Sequence, residues 1–218
     1  GDSNITALRI PGLQSGASDG DVLTFASGTG LITLQAAGGG GASDLNGLSD
    51  CDTTTSGQGS MFIGNVPASL TTSAFYNTGL GYNSLNSLTT ANYNTSFGRN
   101  SLKSLTASEG HNTAFGADAL NTGSSTQQYS TAIGSNAGYS ATGRQGIYVG
   151  YFSGRNNTSQ SHISIGYEAG YTQTSGASNT NIGYQAGYSN STGGFRTMLG
   201  YQAGKSQTGG NNTFLGSL

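Results

Sequence analysis

The side chains with most chemical scope in this 218-residue sequence are His111, His162, Cys51 and the acids Glu109, Asp118 and Glu168. Hydrolytic chemistry needs a nucleophile, a base and an orienting group that converge on one point. Neither histidine has a serine and a carboxylate at recognisable triad spacing, and a general abundance of serine does not supply one. On our reading of the repeat, the three acids fall at unrelated repeat positions, against the carboxylate pair of a glycosidase. A single cysteine makes no internal disulfide, and no Cys/His cluster has zinc spacing. The glycine-rich segments fit neither a phosphate-binding loop nor a dinucleotide fingerprint. The expectation is a protein that is not an enzyme and carries no metal or cofactor.

Recognition by aromatic rings is the better prospect. Tyr151, Tyr167, Tyr184 and Tyr201, with Tyr82 earlier, recur at one repeat position, and Tyr139, Tyr171 and Tyr188 at another. Exposed aromatic faces can bind sugar rings, so the first column is a candidate glycan contact. The competing reading, which we prefer, is a structural ladder of rings on adjacent strands, each pair adding about 0.2–1 kcal/mol. Sequons at Asn4, Asn94, Asn156, Asn157, Asn190 and Asn211 are expected from an Asn/Ser/Thr-rich composition alone.

These positions are set by a repeat. Gly64, Gly81, Gly98, Gly116, Gly134, Gly150, Gly166, Gly183, Gly200 and Gly216 follow one another at intervals of 17, 17, 18, 18, 16, 16, 17, 17 and 16. A unit this short cannot bury a face alone, so the pattern reads as a solenoid. The residue before each glycine is apolar throughout: Ile63, Leu80, Phe97, Phe115, Ile133, Val149, Ile165, Ile182, Leu199 and Leu215. Two residues earlier, on the same side of a pleated strand, stand mostly threonines. These two columns are predicted to face inward and form the core, leaving the variable residue between them outside. Three residues after the glycine comes Ala or Ser. The next position is Leu85, Leu102 and Leu120 early on, then Gly138, Gly154, Gly170, Gly187 and Gly204. We read the small-residue columns as a face for close approach by neighbours. Asn77, Asn94, Asn112, Asn179 and Asn212 are predicted to form an amide ladder. His111 occupies a column otherwise filled by Tyr76, Tyr93, Tyr129 and Phe195, so it reads as a planar stacking residue; His162 replaces an Asn of the ladder.

The fold expected is all-β: a parallel β-solenoid or β-roll of about ten rungs over residues 59–218. Before it lie a β-hairpin connector at 1–35, built on Val22 to Phe25 and Leu31 to Leu34, and a Gly/Ser/Thr-rich linker at 36–58 with the flexible run Gly38 to Gly41. Helical periodicity is absent, and glycine would penalise a helix by about 1 kcal/mol at each occurrence.

Only 7% of the residues are charged, against roughly 25% in ordinary soluble domains, so Ser, Thr, Asn and Gln must carry solubility. The array holds three net positive charges, six Lys/Arg against three Asp/Glu. They are too scattered for the basic stripe that nucleic acid requires. No apolar run approaches the roughly 20 residues of a membrane span. One large apolar side chain per rung makes a thin core, and association of chains is the remedy we predict: a homotrimer.

Asn112-Thr-Ala-Phe-Gly116 and Ser130-Thr-Ala-Ile-Gly134 resemble the repeat of trimeric autotransporter adhesin heads, whose chains form left-handed parallel β-rolls around a threefold axis. They resemble equally the shaft repeats of bacteriophage tail fibres. Gly20-Asp-Val-Leu-Thr-Phe25, Gly28-Thr-Gly-Leu31 and Leu45-Asn-Gly-Leu-Ser-Asp50 look like connector modules of phage fibres and favour that side. The repeats here are longer than those of adhesin heads and carry Thr where that family prefers an aliphatic. Rungs closed within one chain and rungs interwoven from three both remain open. The resemblance implies an extracellular structural protein of virus–host attachment, a virion fibre shaft whose partners are its own copies, other fibre proteins and a host surface glycan. The alternatives are the head of a bacterial surface adhesin, a cell-surface or environmental filament, and an ice-binding solenoid. The last needs Thr facing water, whereas the predicted orientation places it inside.

Overall fold

A computed structural model describes residues 21–25, 32–36, 51–52, 59–64, 67–71, 73–107, 110–121 and 127–217. The four-glycine run, the predicted linker apart from Ala36 and 51–52, and Glu109 lie outside them. Contacts divide the chain into two units, 1–44 and 45–218. In the first, β1 (Asp21–Phe25) and β2 (Ile32–Ala36) pair antiparallel.

The second unit is a β-solenoid of about nine turns, with no helix among the described residues. Ten three-residue strands stack in sequence order: β4 (Met61–Ile63), β5 (Thr78–Leu80), β6 (Thr95–Phe97), β7 (Thr113–Phe115), β8 (Thr131–Ile133), β9 (Ile147–Val149), β10 (Ile163–Ile165), β11 (Thr180–Ile182), β12 (Thr197–Leu199) and β13 (Thr213–Leu215). All nine neighbouring pairs are parallel and in register, so Phe97 lies beside Phe115 and Phe115 beside Ile133. β3 (Cys51–Asp52) closes the first edge antiparallel to β4. Each rung closes within one chain, which resolves the open choice between closed and interwoven coils.

The key glycine needs both explanations available to it. Its φ is +134° at Gly98 and +140° at Gly116, a region that L side chains avoid. A Cβ on Gly116 would also sit 2.5 Å from the carbonyl oxygen of Gly134 in the next rung. Three further corners of each turn are left-handed: the Tyr76/Tyr93/His111/Tyr129 column, the residue two after the glycine, and the residue four after it.

The inward assignment is corrected by the structure. None of Ile63, Leu80, Phe97, Phe115, Ile133, Val149, Ile165, Ile182, Leu199 and Leu215 is buried within the chain; Phe115 is 57% and Leu215 72% exposed. The residue between the two columns points in instead: Phe62, Gly79, Ser96, Ala114, Ala132, Tyr148, Ser164, Asn181 and Met198 are all buried. The Ala/Ser column is buried against it, as are Leu85, Leu102 and Leu120. The small residues thus fill the interior of the coil and do not form an outer face. The physical reason is volume. Where Leu follows, the strand offers Gly79, Ser96 or Ala114; where Gly follows, it can offer a large residue, and Tyr148 lies over Gly138 and Gly154 while Met198 lies over Gly204. A large middle residue and a leucine four after the glycine would claim the same space, so each rung carries one or the other.

Candidate interaction surface

Strand pleating that buries the middle residue sends both neighbours outward, so the sheet presents two parallel columns to solvent. One is apolar, Leu80, Phe97, Phe115, Ile133, Val149, Ile165, Ile182, Leu199 and Leu215, beginning at Ile63; the rings of Phe97 and Phe115 stack at 5.5 Å. The other carries Thr78, Thr95, Thr113, Thr131, Thr180, Thr197 and Thr213, interrupted by Ile147 and Ile163. None of these threonines is buried. With strands about 4.8 Å apart, the two columns run the length of the array. Contiguous apolar surface of this kind makes the face a candidate for interaction.

Two ring ladders stand elsewhere on the coil. Tyr76, Tyr93, His111 and Tyr129 stack with centroids 5.0, 4.6 and 5.3 Å apart, so His111 is the planar stand-in that its column implied. Tyr151, Tyr167, Tyr184 and Tyr201 stack at 5.6, 5.2 and 5.1 Å. Rings held this way cover one another's faces and offer water their edges and hydroxyls. The column thus forms the structural ladder preferred for it. Tyr171 and Tyr188 stack at 5.0 Å, with Arg155 5.6 Å from the Tyr171 ring and Lys205 5.8 Å from the Tyr188 ring. The two cations belong to the same repeat position as the tyrosines and bracket the pair.

Asp118 and Glu168 share a repeat position after all, two residues past Gly116 and Gly166, which corrects the reading of unrelated acids. They lie three rungs apart. Asp118 accepts from Asn100 and Asn121 and pairs with Arg99 at 2.6 Å; Glu168 accepts from Gln185 at 2.7 Å, and Gln185 in turn accepts from Gln202 at 2.9 Å. Partial desolvation and the neighbouring Glu168 carboxylate push the Tyr167 phenol up.

Buried amides build an acceptor column beside the strands. The side-chain oxygen of Asn77 takes the backbone N–H of Asn94 at 3.1 Å, that of Asn94 takes Asn112, and that of Asn112 takes Ser130. Amide-to-amide bonds of 2.9 and 3.1 Å join Asn94 to Asn77 and Asn112 to Asn94, so the predicted ladder forms over these three, whereas Asn179 donates to the carbonyls of Gly176 and Gly193 and Asn212 to that of Gly209. His162 serves the same purpose with Nδ1, which accepts the Asn179 N–H at 3.3 Å. Burial, together with the Arg196 cation, pushes His162 down to about 4. Arg196 itself is buried and donates to the carbonyls of Gly193 and Gln207. Of the sequons, Asn94, Asn157 and Asn190 are buried in the coil. Cys51 lies in β3.

No helix among the described residues is long and apolar enough to cross a membrane. No family model, curated protein or solved structure matches the chain.

Proposed function

We propose that this chain is a shaft segment of a homotrimeric fibre for virus–host attachment, acting by rigidity and multivalent display of a binding tip. The observation that carries the reading is the outward apolar column, half-buried to exposed, running from Ile63 to Leu215 in unbroken register. A partner for it must present apolar groups at the same rise of about 4.8 Å, and a second copy of the chain does so by construction. Association covers the column on every rung and offsets the thin interior of each coil. The resemblance of the repeats to fibre shafts supplies the virion setting, with other fibre proteins at the ends and the host surface at the tip. Because the tyrosine faces are spent on stacking, receptor contact belongs to that tip and not to this ladder.

The experiment is light scattering on the purified chain beside an Ile133→Asp, Leu199→Asp variant. Both substitutions fall on exposed positions, so each coil keeps its interior. A trimer that the variant reduces to a folded monomer supports the proposal. A monodisperse native monomer with a cooperative melt rejects it.

The outward threonine column supports a second reading, because the objection to an ice-binding solenoid was that Thr faces inward. Both readings claim the same face of the sheet, so they exclude each other. Thermal hysteresis from a monomeric chain selects ice binding; a trimer without hysteresis selects the fibre.

A further inference from the structure

The Tyr151, Tyr167, Tyr184 and Tyr201 ladder holds four phenols in series, each 41–56% exposed. Tyr167 and Tyr184 are 5.2 Å apart with rings only 8° from parallel. Tyr167 alone in the series is followed by a carboxylate, Glu168, which Gln185 fixes from the next rung. A base at the phenol lets electron and proton leave together.

We propose that Tyr167 and Tyr184 form an oxidative cross-linking site, at which a one-electron oxidant of the peroxidase class joins the two phenols as dityrosine and staples consecutive rungs. Each phenol gives one electron to the oxidant; Tyr167 passes its proton to Glu168 and Tyr184 to water. The two phenoxyl radicals form one carbon–carbon bond between ring carbons ortho to oxygen. The hydrogens on those carbons return to the oxygens by tautomerisation. Two electrons and two protons leave in all, and they reduce one peroxide to two waters. Coupling needs the ortho carbons brought together, and side-chain torsions supply that movement where consecutive in-register strands set the backbones about 4.8 Å apart. The Tyr171 and Tyr188 pair is as close, at 5.0 Å, but Arg155 and Lys205 sit against its outer faces, and their positive charge opposes removal of an electron.

The test treats the whole chain with peroxidase and limiting hydrogen peroxide. Cleavage after Glu168 then separates Tyr167 from Tyr171, Tyr184, Tyr188 and Tyr201. The expected product is the two fragments joined through Tyr167 and Tyr184, two hydrogens lighter than their sum. Tyr167→Phe, which keeps the stacked ring, removes it; Glu168→Gln, read by dityrosine emission, lowers its yield several-fold. Isotopically heavy and light chains mixed before oxidation give no mixed product, whatever the oligomeric state. Coupling chiefly through the more exposed Tyr82, mixed heavy–light products, an unchanged yield in Tyr167→Phe, or equal yield in denaturant would each overturn the proposal.

Discussion

At Gly116 two constraints meet, a φ of +140° and a next-rung carbonyl where a Cβ would go. Gly116→Ala should therefore cost at least ~2 kcal/mol, since the strained backbone and the close approach both oppose a Cβ. Urea unfolding measures it, and a change below half that value contradicts the geometry. His162 makes a different prediction. Its folded value of about 4 lies below the 6.5 of an unfolded chain, so between those values the unfolded chain binds the extra proton. The stability it supports is complete above about pH 6.5 and falls as pH drops toward 4, by about 3 kcal/mol in all. His162→Asn keeps a side-chain acceptor for the Asn179 N–H and carries no titrating group. The difference in melting temperature between wild type and variant should open on acidification, with the variant less sensitive; parallel profiles contradict the assignment.

Within one rung the account rests on complementary volumes. Gly154→Leu puts a side chain where the Tyr148 ring lies, an overpacking cost of about 1–3 kcal/mol. Tyr148→Ala opens a cavity at a cost of about 3–5 kcal/mol. The double variant recreates the Ala-plus-Leu rung found at Ala114 and Leu120, so the two changes should offset each other by at least ~1 kcal/mol in a double-mutant cycle. Strict additivity contradicts the shared interior. The same rung shows what the sequence could and could not reveal. Ten glycines at intervals of 16–18 residues made the solenoid, its rung count and the Asn77–Asn94–Asn112 part of the amide ladder legible, because those depend on backbone spacing. Which strand face points inward was not legible from periodicity, since a three-residue strand alternates equally well either way. An even apolar column looked like a core, and outward-facing Phe115 and Ile133 satisfy that pattern as well as an inward pair would. The signal that separates them is the trade between the middle residue and the position four after the glycine, Gly79 with Leu85 but Tyr148 with Gly154. For the ladders, ring columns were visible, while the closing of their faces needed the centroid distances. Tyr184→Leu should lower the melting temperature by removing two stacked contacts, each about 0.5–1.5 kcal/mol; an unchanged melt would mean the stack adds nothing.

Across the whole array, the outward columns run in register from rung to rung along one face of the sheet. With 7% charged residues and an apolar column open along one face, the lone chain leaves surface that water disfavours. The proposed trimer would turn that surface into a shared interior. Such an assembly makes stability depend on chain concentration, so the melting temperature should rise with dilution reversed, that is, as concentration increases. The most direct measurement is the molar mass of the chain in solution across a range of concentrations. The account predicts three chain masses, falling to one in the Ile133→Asp, Leu199→Asp variant. A single chain mass for the native protein at every concentration would contradict it.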